Sequence, residues 1–217
     1  MKTMLVLSMG ALLLAGTLSA QTPVPEWQAG VDKVKTLIQS NPAQASEEAG
    51  ELLKGKNKKN VDLVTSVAHV YLDAGKITEA QEYLAMAKKA NNKDPKVSVL
   101  EGDIALAQKN IGQACQLYEQ AIYFDPNCKE AYLKYAQAYK SASPTQAIEK
   151  LEQLKAVDPN CLEADRELAE VYYSGNRFGK AAEMYAKFID TPLATEDDML
   201  KLSLIHISEP TRLRRIS

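Results

Sequence analysis

Few side chains in this 217-residue chain are placed for catalysis. It holds two histidines, His69 and His206. His206 lies in the C-terminal stretch 202–217, expected to be a non-native tail, so the remainder cannot supply a two-histidine metal site. Three cysteines, Cys115, Cys128 and Cys161, fit no zinc or redox spacing, and no glycine-rich phosphate loop occurs. The acidic pairs Glu47-Glu48 and Asp197-Asp198 are consecutive in sequence. Consecutive residues on a helix point in different directions, so these are expected to be solvated faces rather than acid/base partners. The expectation is a non-catalytic chain with no metal and no cofactor.

Composition narrows the partners. Twenty-six basic residues balance 28 acidic ones for a formal charge of −2, with 46% of residues hydrophobic. A nucleic-acid surface would need a clear basic excess, so none is expected, and nothing marks a small-molecule substrate. The one basic cluster, Lys54, Lys56, Lys58 and Lys59, includes Gly55 and Asn57 and reads as a solvated loop.

The organising signal is a period. Ala80, Ala114, Ala147 and Ala181 recur every 33 or 34 residues. Each follows a second small residue, Ala68, Gly102, Ala136 or Ala169, and precedes a large one, Leu84, Tyr118, Leu151 or Tyr185. Each unit closes on a proline, at Pro95, Pro126, Pro159 or Pro192. Within the first unit, Val64, Val67, Ala68 and Tyr71 share one helical face over Val61–Asp73, Gly75 breaks the helix, and Ile77, Ala80, Leu84 and Ala87 line a second. Small residues allow close backbone approach, and stacking of successive hairpins completes a core that one hairpin cannot close. Asp94-Pro95, Asp125–Asn127 and Asp158–Asn160 read as joints, with aspartate capping and proline in the first turn of the next helix.

These small–large–small residues with their closing prolines resemble the tetratricopeptide repeat (TPR) family over residues 61–195. The units run 61–94, 95–128, 129–161 and 162–195; the third lacks one residue, with Ser143-Pro144 in place of the usual turn glycine. Leu154 and Phe188 stand where the first two units have Ala87 and Ala121, which requires different packing between repeats there. The resemblance implies an all-α, right-handed superhelical array of antiparallel helix pairs with a concave groove. By family register that groove would present Thr65, His69, Val99, Asp103, Leu133, Gln137, Arg166 and Glu170, with Asp62, Lys96, Glu130 and Glu163 near its rim. Such a surface suits an extended peptide or a partner helix. These residues do not reproduce the lysine–asparagine set with which some members of the family clamp a C-terminal carboxylate.

The flanks read differently. Residues 21–60 suggest a divergent helical hairpin capping the array, with Trp27, Val31, Val34 and Ile38 on one helix and Ala45, Ala49, Leu52 and Leu53 on another. Residues 1–20 have the lysine, apolar run and small-residue order of a secretory signal peptide, with cleavage expected after Ala20. That implies export, to the periplasm of a Gram-negative bacterium. Residues 196–201 read as the start of a truncated fifth unit. Residues 202–217 resemble translated read-through of a sequencing adapter, so they are expected to be a non-native tail outside the fold.

Cys128 and Cys161 hold equivalent places in neighbouring repeats, so they should lie about 8–10 Å apart, beyond the roughly 7 Å Cα limit for a disulfide. Cys115 sits most of a helix length from Cys128. Three free thiols are expected, acting as small core residues. The functional expectation is a scaffold or assembly adaptor holding a protein or peptide in its groove. The alternative is a recruiting or regulatory arm of a larger protein with an enzymatic or sensory domain. An uncapped apolar face at the C-terminal end of the array would also favour self-association.

Overall fold

The computed structural model describes residues 24–213, with side chains as far as Ile207. The expected signal peptide, residues 1–20, lies outside them. Eleven α-helices and one short 3-10 helix make up the described residues, with no strand among them. Helix α1 (Gln28–Ser40) and α2 (Pro42–Leu52) form the expected first hairpin, and the exposed 3-10 turn Gly55–Lys59 carries most of the lysine cluster. Four hairpins follow: α3 (Val61–Asp73) with α4 (Ile77–Asn91), α5 (Pro95–Ala107) with α6 (Ile111–Phe124), α7 (Lys129–Tyr139) with α8 (Pro144–Val157), and α9 (Leu162–Ser174) with α10 (Phe178–Tyr185). Helix α11 (Glu196–Leu213) ends the array. No described helix is long and apolar enough to cross a membrane.

Local chemistry fixes these boundaries. Asn41 ends α1 and caps α2, its side chain accepting the Gln44 N–H at 3.3 Å, while Pro42 takes the first helical position. Asp94 and Pro95 do the same for α5, with Asp94 accepting the Lys96 N–H at 3.0 Å. The other two proline joints differ from expectation. Asp125 and Asp158 accept the N–H groups of Asn127 and Asn160 in a turn, and the next helix starts only at Lys129 or Leu162, after Cys128 or Cys161. The aspartates therefore cap turns there, because the intervening residues are not helical.

Three hairpin turns share one closure. The Lys76, Asn110 and Arg177 N–H groups reach back to the Tyr71, Ala105 and Tyr172 carbonyls at 2.8, 2.9 and 2.8 Å. This is the Schellman arrangement, which needs a left-handed residue just before the donor. That residue is Gly75 (φ 74°), Lys109 (φ 64°) or Asn176 (φ 57°). The third turn, one residue shorter, uses no positive φ; Ser143 N–H bonds the Tyr139 carbonyl and Pro144 opens α8.

The core runs the length of the stack. Val64, Val67, Ala68, Tyr71, Ala80, Leu84 and Ala87 are buried together with Val31, Val34 and Ile38 of the first hairpin. Farther along, Ala114, Tyr118 and Ala121 pack with Ala131 and Tyr135. Leu154 and Phe188 are fully buried among α7–α11. Phe188 lies beyond the end of α10, in a run of turns that shortens the fourth hairpin's second helix.

Two expectations about the C-terminus are corrected. Helix α11 crosses from Lys201 to Leu202 without a break, and Ile205 is buried against the last repeat, so the fold does not stop at residue 201. Asp198 is buried rather than solvated. Its carboxylate accepts the Thr195 N–H at 2.8 Å while its own N–H donates to the Thr195 hydroxyl at 3.3 Å, a reciprocal cap for α11. Burial pushes its pKa up, but Thr195 and Arg166 outweigh that and hold it below the ordinary aspartate value. Met199, Leu200, Leu204 and Ile207 remain exposed on this helix.

Gly75 has open space where a Cβ would stand, so its only demand is the left-handed backbone. Gly75→Ala is expected to lower the unfolding free energy by about 1–2 kcal/mol, measured by urea denaturation. An unchanged midpoint would contradict the closure described.

Candidate partner-binding groove

The first helices of successive repeats pack on one another, α1 on α3, α3 on α5, α5 on α7 and α7 on α9, whereas each second helix packs chiefly within its hairpin and against the next repeat. The first-helix side is therefore the tighter, inner side of the stack. On α3, Asp62, Thr65, Ser66, His69, Leu72 and Asp73 form one stripe at helical spacing and line two cavities on that side. The larger, about 380 Å³, is bounded by Pro25 and Trp27 ahead of α1, by Asp62, Thr65, Ser66 and His69, and by Lys96 and Glu130 from the next two repeats. The second, about 280 Å³, is bounded by His69, Leu72, Asp73, Asp103, Leu106, Ala107 and Lys134. His69 is the wall between them.

The residues expected in the groove divide sharply. His69 is half-exposed and Gln137 is exposed. Thr65 is nearly buried on the floor of the larger cavity, with its hydroxyl donated to the Val61 and Asp62 carbonyls. Val99 is a correction: it is buried in the core with Ala114 and Tyr118, because its helix face turns inward toward α6. Leu133 is half-buried against the core.

Asp103 and Glu170 are structural as well as inner-face residues. The Tyr118 hydroxyl donates to Asp103 at 2.7 Å across 15 residues, and Lys134 Nζ reaches the other carboxylate oxygen at 3.1 Å across 31. The same spacings recur one repeat pair later. Tyr185 donates to Glu170 at 2.6 Å, again 15 residues apart, and Lys201 reaches it at 2.7 and 2.8 Å, again across 31. Each carboxylate thus ties its own hairpin together and bonds the following first helix. Gly102 permits the first of these, since a Cβ there would stand 2.5 Å from the Tyr118 ring. In the other two repeats the partners of His69 and Gln137 on the second helix are Leu84 and Leu151, which cannot accept or donate. His69 Nδ1 instead lies 3.7 Å from Asp103, and Gln137 donates to Glu167 at 2.7 Å.

Other charges along the groove also pair across repeats. Lys96 bonds Asp62, and Lys129 bonds Glu163 at 2.8 Å, each pair spanning 34 residues. Arg166 pairs with Asp198 at 3.2 Å. Glu130 makes no ion pair among the described residues. Groove residues that family register does not supply include Trp27, Ser66, Leu72, Leu106 and Lys134. The sole tryptophan, placed just ahead of an apolar helix stripe, is the sequence signal for the first.

The thiols behave as packing groups. All three cysteines are free, with Cys115 and Cys161 buried. Burial pushes the Cys115 thiol up to about 11 and raises the other two, which disfavours the reactive thiolate. No cluster of three metal-ligating side chains occurs among the described residues.

A stack of helix hairpins with a polar, cavity-bearing inner face and a continuous core is a helical repeat protein. The family model for the tetratricopeptide repeat matches residues 68–128 and 137–194, more than half of the chain; the chain belongs to the tetratricopeptide repeat family. No curated protein matches it. Among solved structures it is similar to TTC0263, a thermophilic TPR protein of Thermus thermophilus, at 18% identity and TM-score 0.64, covering 83% of this chain and 98% of that one. It is similar to pilF of Pseudomonas aeruginosa at 18% identity and TM-score 0.61, covering 87% and 90%. YrrB, described as a TPR protein with an unusual peptide-binding site, aligns at 18% identity and TM-score 0.52, covering 81% and 89%. At these identities the likeness is one of fold.

Burial and then the adjoining carboxylate raise the Tyr118 and Tyr185 pKa values well above the ordinary phenol. Folding therefore favours the neutral phenol. That contribution is complete below the unfolded pKa of about 10 and is lost as pH rises beyond it. Stability is expected to fall progressively as pH rises above about 10, in part because Lys201, which burial lowers but its carboxylates raise by more, loses its proton in the same direction. Tyr118→Phe should cost about 1.5–3 kcal/mol at neutral pH and flatten the alkaline slope. Equal slopes for variant and parent in urea titrations would contradict this.

Proposed function

We propose that this chain is a non-catalytic adaptor that holds a peptide or an extended segment of a partner protein along the inner face of α3, α5 and α7. The observation that carries the reading is the pair of adjoining cavities on either side of His69, walled by first helices of three consecutive repeats. Together they offer a mainly polar pocket followed by one of mixed polar and apolar groups, which suits an extended chain whose side chains enter successive pockets. YrrB, a TPR protein described as having an unusual peptide-binding site, supports the class of ligand. Binding of this kind needs no cofactor. The N-terminal leader composition supports work outside the cytoplasm, in the periplasm, and residues 202–217 are proposed to be encoded by adapter sequence.

A displayed random-peptide library selected on the purified chain tests the reading. The expected result is an enriched sequence pattern whose binding weakens about tenfold in His69→Ala and is unchanged in Lys89→Ala, on the exposed side of α4. No enriched pattern, or equal sensitivity to both substitutions, would overturn it.

A further inference from the structure

We infer that the 380 Å³ cavity at the N-terminal end of the groove is a subsite for a single arginine side chain of the bound peptide; this rests on the groove reading above. The cavity is formed by three consecutive structural units and the residues ahead of α1, so it exists only in the stacked array. Its charged lining is Asp62, Lys96 and Glu130. Lys96 is paired with Asp62 and also feels the charge of Glu130, which leaves the three groups with one net negative charge. Glu130 is left as a carboxylate with no ion pair among the described residues, one repeat beyond. Trp27, partly buried against the core of the first units, is the one aromatic residue lining the cavity, and Ser66 lines it beside His69.

An anionic side chain would meet Glu130 without a free cation to offset it. An apolar one would leave that carboxylate without a partner and partly desolvated, which is costly. A metal ion would find only two carboxylates, one of them occupied. A guanidinium meets both remaining features at once: it is planar, lies against an indole face, and bonds a carboxylate through two N–H groups. A lysine ammonium can use the carboxylate but matches the flat wall less well, so arginine should be preferred.

Trp27 is the only tryptophan in the chain, so its fluorescence reports on this cavity. The experiment titrates the purified chain with acetyl-Gly-Arg-Gly-amide and with the lysine and glutamate counterparts. The arginine peptide should change Trp27 emission saturably at millimolar concentration, the lysine peptide should act more weakly, and the glutamate peptide should have no effect. Glu130 is exposed, so Glu130→Gln should leave the far-ultraviolet circular dichroism intact while weakening the arginine response about tenfold. Equal responses to arginine and glutamate peptides, no response to arginine, or an undiminished response in Glu130→Gln would overturn the inference. Library peptides that depend on His69 but show no arginine preference and leave Trp27 emission unchanged would sink this subsite while the groove reading stands. An arginine response that depends on Glu130 without any selectable longer peptide would do the reverse.

Discussion

A helix hairpin has apolar groups on more than one side, and its own two helices can cover only what lies between them. Everything else in this molecule follows from that constraint. Each hairpin must be covered by the next, which makes the core continuous and places the first helices side by side on one face. The small residues Ala68, Gly102, Ala136 and Ala169 matter because they set how closely the backbones approach. At Gly102 the neighbouring ring comes close enough to a bare Cα to reach Asp103.

The polar ties between repeats impose a second order on the first. Asp103 with Tyr118 and Lys134, and Glu170 with Tyr185 and Lys201, recur at a two-repeat interval. Carboxylates drawn into the stack in this way are costly unless fully partnered, and here each has both a phenol and an ammonium. The repeat between them and the repeat ahead of them carry leucine at the same place on their second helices, at Leu151 and Leu84. The consequence for binding is a division of labour along the inner face. Asp103 and Glu170 are consumed in holding the stack, whereas His69 and Gln137 keep accessible polar groups. Surface pairs such as Lys129 with Glu163 add little stability, but their one-repeat spacing neutralises charge along the rim and leaves Glu130 distinct.

Much of this is legible in the sequence. The 33–34-residue period, the small and large marker positions and the turn at Gly75 determine the hairpins, because helical spacing leaves few other ways to bury those side chains. The Asp-Pro-Asn joints are ambiguous in detail, since the same residues cap a turn as readily as a helix and only backbone geometry separates the two. Asp198 reads as solvated because its partner Arg166 lies 32 residues away. Val99 is misplaced by a family register that gives a position on a helix without its rotation toward the second helix. Trp27 and Lys134 escape that register because one precedes the repeats and the other sits one position from the expected stripe. The run from Glu196 onward is helical through Leu213, since its apolar Leu202 and Ile205 fall where the last repeat needs cover.

Under the proposed function, partners are held on the first-helix face. Amide hydrogen exchange on the chain with and without a peptide selected from the library tests it most directly. Slowed exchange is expected in α3, α5 and α7 and in the segment around Trp27 alone, with α4, α6 and α8 unchanged. Protection concentrated on the second helices, or on α11 alone, would contradict it.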